Sequence, residues 1–462
     1  MRKYDLVVIG GGPGGYTAAL EAQKLGAHVA IVEKKTHVGG ICLNSGCIPT
    51  KTLLESAELY QKIKDSSALG IECKDAKPDI KKIIERSKDV INQLSTGLYA
   101  LLKNKIDFIE GYGKISSDKY PFEVEVNNET ISAENLIIAT GARNRQIPSM
   151  PFDGKKILSC KDAMNMKSIP KSISIIGSGA IGMEFASFFN ALDSNVTVFE
   201  MQDKILPFAD EEVSIAAKNK FESLGIEFKL STSINSCEIK NNQVVLNKNF
   251  ESDVCLVAIG IQGNHENLGL ENFPKIEIEG TFIKTNPLNE TGEKGIYAIG
   301  DISSRTPWLA HKAIHEGIRC VHRIFNNTSI ENNISERPIK DEDVPVCVYT
   351  IPQIAQIGLT EKQAIEKGHS VVIGKQNLKF NGKALTKNEN EGFIKTIFDK
   401  DNQEFLGAHM FGKNVTELVH GFSILQNMEG LLWDIKNTIF PHPTLAESIH
   451  DAVSDAEAKL SK

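Results

Sequence analysis

The chain of 462 residues suggests roughly three domains of about 150 residues each, and 41% apolar residues with 36 glycines is an ordinary globular composition. A formal net charge of −7 argues against non-specific nucleic-acid binding, which needs a concentrated cationic face. No apolar run approaches the roughly 18 residues of a membrane span, and no block of like charge or Pro- or Gln-rich tract marks a disordered tail.

The first residues, MRKYDLVVIG, pass from two cations straight into a strand with no signal-peptide cleavage site behind it, so a cytoplasmic setting is expected. Residues 4–34 then read as strand, glycine-rich turn, helix and a second strand ending near Glu33. Next comes GGICLNSGCIPTK at 39–51, which carries Cys42 and Cys47. The spacing alone is compatible with a structural disulfide, a pair of metal ligands, a buried apolar pair or a working redox couple. The other cysteines (Cys73, Cys160, Cys237, Cys255, Cys320 and Cys347) are scattered singly and are expected to be reduced core or surface residues.

Residues 52–110 show helical patterning, followed by a β-rich stretch whose clearest strands are FEVEV and LIIATGA. Residues 172–201 then repeat the plan of residues 4–34. Gly10, Gly12, Gly15 and Glu33 match Gly177, Gly179, Gly182 and Glu200, each 167 residues later (177 − 10 and 200 − 33). These are two βαβ dinucleotide folds in one polypeptide. The first glycine allows the sharp turn, the second lets backbone approach a pyrophosphate, and the third permits close helix–strand packing. The helix N-terminus offers free N–H groups to phosphate, and the acid accepts from ribose hydroxyls. Glu200, followed by Met201, Gln202 and Asp203, would repel a 2′-phosphate, so the second nucleotide is expected to be NAD rather than NADP.

DVCLVAIG closes the second unit as LIIATG closes the first, with Gly260 and Gly141 at the ends. GIYAIGDI is a buried strand running into Gly300-Asp301. From about residue 345 the chain becomes a mixture of strands and helices. The expected division is 1–148 (first part of one nucleotide domain), 149–272 (second nucleotide domain), 273–344 (central part returning to the first) and 345–462.

The segments GGGPGG, GGICLNSGCIPTK, IIATGA, GSGAIGMEFA, YAIGD, LAHKAIHEG and HPTLAES, taken in order, resemble the flavin-dependent pyridine nucleotide-disulfide oxidoreductases, and within them the branch that oxidises dihydrolipoamide. The likeness covers essentially the whole chain. It implies an α/β fold with two Rossmann-like domains, for FAD and NAD, and a C-terminal α+β interface domain. By this resemblance Gly10, Gly12, Gly15, Glu33 and Gly141 lie on the FAD side. Lys51 is expected near the flavin N5 and paired with Glu184, Asp301 on the ribityl chain, and Ala310 and His311 by the ring. Gly177, Gly179, Gly182, Glu184, Glu200 and Gly260 form the NAD side.

Zinc is disfavoured for Cys42 and Cys47, because no second Cys or His pair follows at ligand spacing. A structural disulfide is disfavoured by the expected compartment. A working disulfide fits, since a thiolate at the start of a helix is stabilised by unpaired N–H groups. The resemblance makes Cys47 the flavin-proximal sulfur and Cys42 the one that exchanges with substrate. FPHPTLAES supplies His442 as a base with Glu447 to orient it, although Thr444-Leu-Ala-Glu447 also reads as a helix capping box.

The resemblance further implies NAD⁺-dependent oxidation of protein-bound dihydrolipoamide, with a homodimer in which His442 comes from the other subunit. It implies a lipoylated acyltransferase or glycine-cleavage carrier protein as partner, the rival being a glutathione reductase-like enzyme. Two positions depart from the family pattern. Residues 260–264 read GIQGN where G-R-x-P-N is usual, and Gln353 stands where Glu is usual.

Overall fold

A computed structural model describes residues 1–34, 38–325 and 337–460. They divide into two compact units: Met1–Thr52, Glu85–Arg145 and Gly260–Lys340 form one, and Leu53–Ile84, Gln146–Ile259 and Asp341–Lys462 the other.

The first unit is built on the strand Arg2–Ile9, flanked in parallel by Val29–Glu33 and Glu129–Ile138. Asp107–Glu110 and Ile296–Ala298 extend the parallel part, and Lys114–Ser117 and Phe122–Val126 add an antiparallel edge. The run LVVI is apolar at every position because both faces of a parallel strand are covered. Leu6 and Val8 join one core cluster with the helix residues Ala18 and Ala22, while Val7 and Ile9 join another with Val124 and Ile131. Helices Pro13–Lys24 and Ala310–Ile324 pack so tightly that a Cβ on Gly14 would stand 2.9 Å from the Ala313 carbonyl oxygen.

The second unit holds two larger sheets. In one, the parallel strands Glu227–Lys229, Asn195–Phe199, Ser172–Ile176, Val254–Val257 and Ile157–Leu158 lie side by side in that order. In the other, Val346–Val348, Gln353–Gly358, Phe405–Gly412, Gly392–Asp399 and Val371–Asn377 form an antiparallel sheet. Helices Val415–Asn427, Leu432–Lys436 and Glu447–Leu460 share its apolar core through Phe422, Leu432 and Val453. Gln353 accepts from the Thr416 hydroxyl at 2.8 Å, at the start of the helix Val415–Asn427. The residue that departs from the family pattern thus serves a helix N-terminus, where an amide oxygen and a carboxylate offer the same acceptor.

The other departure also has a local account. Ile261–Gly263 pairs antiparallel with Ala142–Asn144, and Arg143 reaches across to the Gly263 carbonyl, the Asn264 amide oxygen and both oxygens of Glu266. The guanidinium holds the Glu266 carboxyl down at about 2. The loop after GIQGN is therefore anchored by an arginine on the neighbouring strand. Among the described residues, no helix is long and apolar enough to cross a membrane.

Candidate active site

Each glycine-rich turn sits where a strand hands over to a helix. Gly10 has φ +114, and a Cβ there would lie 2.2 Å from the Ala139 carbonyl oxygen; a Cβ on Gly15 would lie 1.9 Å from the carbonyl oxygen of Gly10. The second unit repeats this: Gly177 has φ +101, and a Cβ on Gly182 would lie 2.0 Å from the Gly177 carbonyl oxygen. No residue other than glycine fits such a helix–strand approach. Gly12 and Gly179 are the N-caps of Pro13–Lys24 and Ala180–Ala191, and neither helix has a capping side chain or an acidic residue in its first turn.

The two acids brace these turns in parallel fashion. Glu33 Oε2 accepts the Gly11 N–H at 2.7 Å. Glu200 Oε2 accepts the Ser178 N–H at 2.9 Å and the Ser178 hydroxyl at 2.8 Å, and its Oε1 accepts the Gln202 N–H at 2.9 Å. Ser178 occupies the place of Gly11 in the repeat (178 − 11 = 167).

The cysteine segment is docked on the first turn. The Gly39 N–H donates to the Gly11 carbonyl at 2.8 Å, and a Cβ on Gly40 would stand 2.8 Å from the Gly12 Cα. Asn44 Nδ2 ties the segment down by donating to the carbonyls of Val38 (3.1 Å) and Gly40 (2.9 Å). Cys42 lies in the short helix Gly40–Ser45, and Cys47 is the first residue of the helix Cys47–Lys64. Both are thiols. Hydrogen bonding with Cys47, then burial, hold the Cys42 thiol far above its ordinary range; the Lys51 cation opposes this and Asp301 adds to it.

Asp301 lies in the turn Gly300–Ile302, beneath the helix that begins at Ala310. Scarcity of water pushes its carboxyl up to about 6, with Glu316 adding to the shift and Lys312 opposing it. His311, the next residue of that helix, is exposed. Gly141 and Gly260 both have positive φ with open space where a Cβ would point, and Gly260 belongs to the first unit, where its carbonyl accepts the Arg145 N–H at 3.0 Å.

In the second unit Glu184 is buried on the helix Ala180–Ala191 and accepts the Tyr349 N–H at 3.0 Å. Lys51, its expected partner, belongs to the first unit. His442 Nδ1 lies 2.8 Å from Glu447 Oε1, and Glu447 Oε2 accepts the Thr444 N–H at 2.8 Å. The Thr444 hydroxyl donates instead to the Pro441 carbonyl, and the helix runs Glu447–Leu460. Only the reciprocal arm of a capping box forms, so one carboxylate serves both the backbone and the imidazole. The His442 side chain is 79% exposed.

Sequence comparison places this arrangement. The profile described as pyridine nucleotide-disulphide oxidoreductase matches residues 4–317, and that of the same family's dimerisation domain matches residues 344–453. The chain belongs to the pyridine nucleotide-disulphide oxidoreductase family. Among its most similar relatives is a dihydrolipoyl dehydrogenase of Rhizobium etli, 38% identical with 99% of each chain covered. A dihydrolipoyl dehydrogenase of Zymomonas mobilis is 39% identical with 97% of each chain covered. Among solved structures, the HOCl-induced flavoprotein disulfide reductase RclA from Escherichia coli is similar with a TM-score of 0.84 at 26% identity, over 98% of this chain and 99% of that one.

In this oxidoreductase the two turns fit dinucleotides on structural grounds. A glycine N-cap with no side-chain acceptor leaves the first-turn N–H groups to an anion, in contrast to Ser159 and Thr360, which cap their own helices. Among the described residues, no group of three or more His, Cys, Asp or Glu side chains could hold a metal ion.

Three contributors escaped the sequence reading: the Ser178 hydroxyl, the Asn44 amide, and the buried pair Lys312–Glu316. Only the last carried a signal, the i,i+4 spacing of opposite charges inside LAHKAIHEG.

Proposed function

We propose that the chain oxidises protein-bound dihydrolipoamide to lipoamide and reduces NAD⁺, through a Cys42–Cys47 disulfide and FAD. The observation that carries this reading is the docking of the two-cysteine segment onto the first glycine turn, with Gly39 N–H on the Gly11 carbonyl. It sets a redox-capable pair beside a dinucleotide cradle. The names of the near full-length relatives favour dihydrolipoamide as the dithiol.

Gly10, Gly12, Gly15, Glu33, Gly141, Asp301, Ala310 and His311 would hold FAD, with Lys51 as the cation near its reactive edge; Gly177, Gly179, Gly182, Glu184, Glu200 and Gly260 serve NAD. The expected segments 1–148, 149–272, 273–344 and 345–462 are retained as the functional division. When bound, FAD accepts the electron pair from the dithiol and delivers it as hydride to NAD⁺.

His442 takes a proton from the first substrate thiol, and Glu447 stabilises the imidazolium and fixes its tautomer. The substrate thiolate attacks the Cys42 sulfur of the disulfide, forming a mixed disulfide and releasing Cys47 as thiolate. The second substrate thiol then attacks the substrate sulfur of the mixed disulfide, and its proton ends on the displaced Cys42 as lipoamide leaves, while His442 keeps the first proton beside the Cys47 thiolate. Cys42 takes up that proton readily once displaced, because its neighbour Cys47 and burial hold its thiol far above the ordinary range.

The protein acts as a homodimer, each site taking His442 from the second copy. The bare Ile439, 94% exposed and three residues before His442, and the exposed Phe380, Met428 and Trp433 in the segment matching the dimerisation domain support this. The setting is the cytoplasm, and the substrate arrives on a lipoylated acyltransferase or glycine-cleavage carrier protein. Assay of the loaded enzyme with dihydrolipoamide and NAD⁺, beside glutathione disulfide with NADPH, tests the reading. Turnover of the first pair alone is expected; turnover of the second alone would place the chain among the glutathione reductase-like enzymes.

A further inference from the structure

Lys312 and Glu316 lie one turn apart on the helix Ala310–Ile324, with Nζ 3.0 Å from Oε1 and both side chains only 3% exposed. Helix stability does not explain them. A lysine N-terminal to a glutamate is the weaker order for an i,i+4 pair, and burying an ion pair returns little net stability over apolar packing. Their outward bonds show another use. Glu316 Oε2 accepts the Gly300 N–H at 2.7 Å, and Lys312 Nζ donates to the Arg305 carbonyl at 2.9 Å. The pair therefore fastens both ends of the loop 300–305 to the helix, with Asp301 between the fastenings. The loop is closed further by the Ser303 N–H on the Gly300 carbonyl at 2.9 Å and by Trp308 Nε1 on the Ser303 carbonyl at 3.0 Å.

We propose that Lys312 and Glu316 are a positioning pair for Asp301, holding the loop so that its carboxylate meets the ribityl hydroxyls of FAD. This rests on the reading of Asp301 as a flavin contact. The two partners act on Asp301 with opposite electrostatic sign: Glu316 disfavours its ionised form and Lys312 favours it. Cys42, on the helix Gly40–Ser45, is a further titratable group that Asp301 acts on.

The opposite signs supply the test. Flavin is stripped from the full-length protein, and FAD is titrated back by fluorescence quenching between about pH 5 and 8, with ADP as a control ligand for the glycine turn. Wild-type affinity for FAD should fall as pH drops through about 6, where Asp301 takes up its proton. Glu316→Gln keeps an acceptor for Gly300 and removes the negative charge, so its midpoint should move to lower pH. Lys312→Gln should move the midpoint to higher pH, by on the order of one pH unit. Lys312→Arg should restore the wild-type midpoint, and ADP affinity should stay constant throughout. A purely packing role would weaken FAD binding in both variants at every pH with no change of midpoint, and that result overturns the proposal; should Lys312→Gln fail to fold, the shift in Glu316→Gln decides. Asp301→Asn should abolish the pH dependence. If it binds FAD with wild-type affinity and profile, the assignment of Asp301 itself is wrong, independently of the pair.

Discussion

His442 Nδ1 lies 2.8 Å from Glu447 Oε1, and the other oxygen of that carboxylate holds the Thr444 N–H. The Thr444 N–H and then His442 hold the Glu447 carboxyl below its ordinary range. Its ionised form is thus favoured in the folded chain, and that preference is lost as pH falls through the depressed value. His442→Ala should reduce kcat/KM for the dithiol by about 10²- to 10⁴-fold. Glu447→Gln leaves an acceptor for Thr444 but no charge for the imidazolium, so turnover should fall while thermal stability holds. Glu447→Ala should lose both, so its melting temperature should fall below that of Glu447→Gln. Equal melting temperatures for Gln and Ala would remove the backbone role.

The principal cause of the high Cys42 pKa is its neighbour Cys47, ahead of burial. Removing that neighbour should therefore release the thiol. In the reduced protein at about pH 8, Cys47→Ala should alkylate at Cys42 several-fold faster than wild type, since each unit of pKa is a tenfold change in thiolate. Slower alkylation would mean that burial controls the site.

Glu200 is gripped by Ser178 and Gln202 so that its carboxylate stands fixed at the end of the second strand. Glu200→Ala should lower the preference for NAD⁺ over NADP⁺, measured as a ratio of kcat/KM, by about tenfold or more. An unchanged ratio would move discrimination to another residue.

Asp301 has a folded value of about 6 against an ordinary 3.8. A raised carboxyl value stabilises the protonated fold, so this contribution is fully present below about 3.8 and is lost progressively as pH rises through about 6. In flavin-free protein, Asp301→Asn should match wild type at low pH and exceed it at about pH 8 by about 1–3 kcal/mol in urea unfolding. A difference that does not grow with pH would contradict the stated burial.

Lys395 is 1% exposed and meets Asp210 at 3.0 Å, Glu361 at 2.7 Å and Glu212 at 2.9 Å. Asp210, itself 2% exposed, would be left without its counter-charge in Lys395→Met, which should lose about 3 kcal/mol of stability. Adding Asp210→Asn should recover part of that loss. A double variant no better than the single would show that the aspartate is not the group left stranded.

The parts legible from sequence are those whose physical requirement is local. Gly15 and Gly182 can be read because a helix start that packs within 2.0 Å of where a Cβ would sit tolerates only glycine, and the requirement repeats at the same spacing. FEVEV could be read as a strand from its alternation alone. What escaped depends on residues far apart in the chain. The docking of Gly39 on Gly11, the grip of Glu316 on Gly300 and the charges gathered around Lys395 have no periodicity to announce them. Glu447 shows a different limit. Its spacing from Thr444 and its nearness to His442 suggested two competing uses, and the two oxygens of one carboxylate meet both.

On the proposed function, electrons pass from dihydrolipoamide to NAD⁺ through Cys42 and Cys47. The direct measurement is an anaerobic single turnover of the loaded enzyme, followed by alkylation and peptide mapping. After dihydrolipoamide alone, Cys42 and Cys47 should both become alkylatable; after NAD⁺ is added, both should become protected as NADH appears. NADH formed without any change in the alkylation of Cys42 and Cys47 would contradict the account.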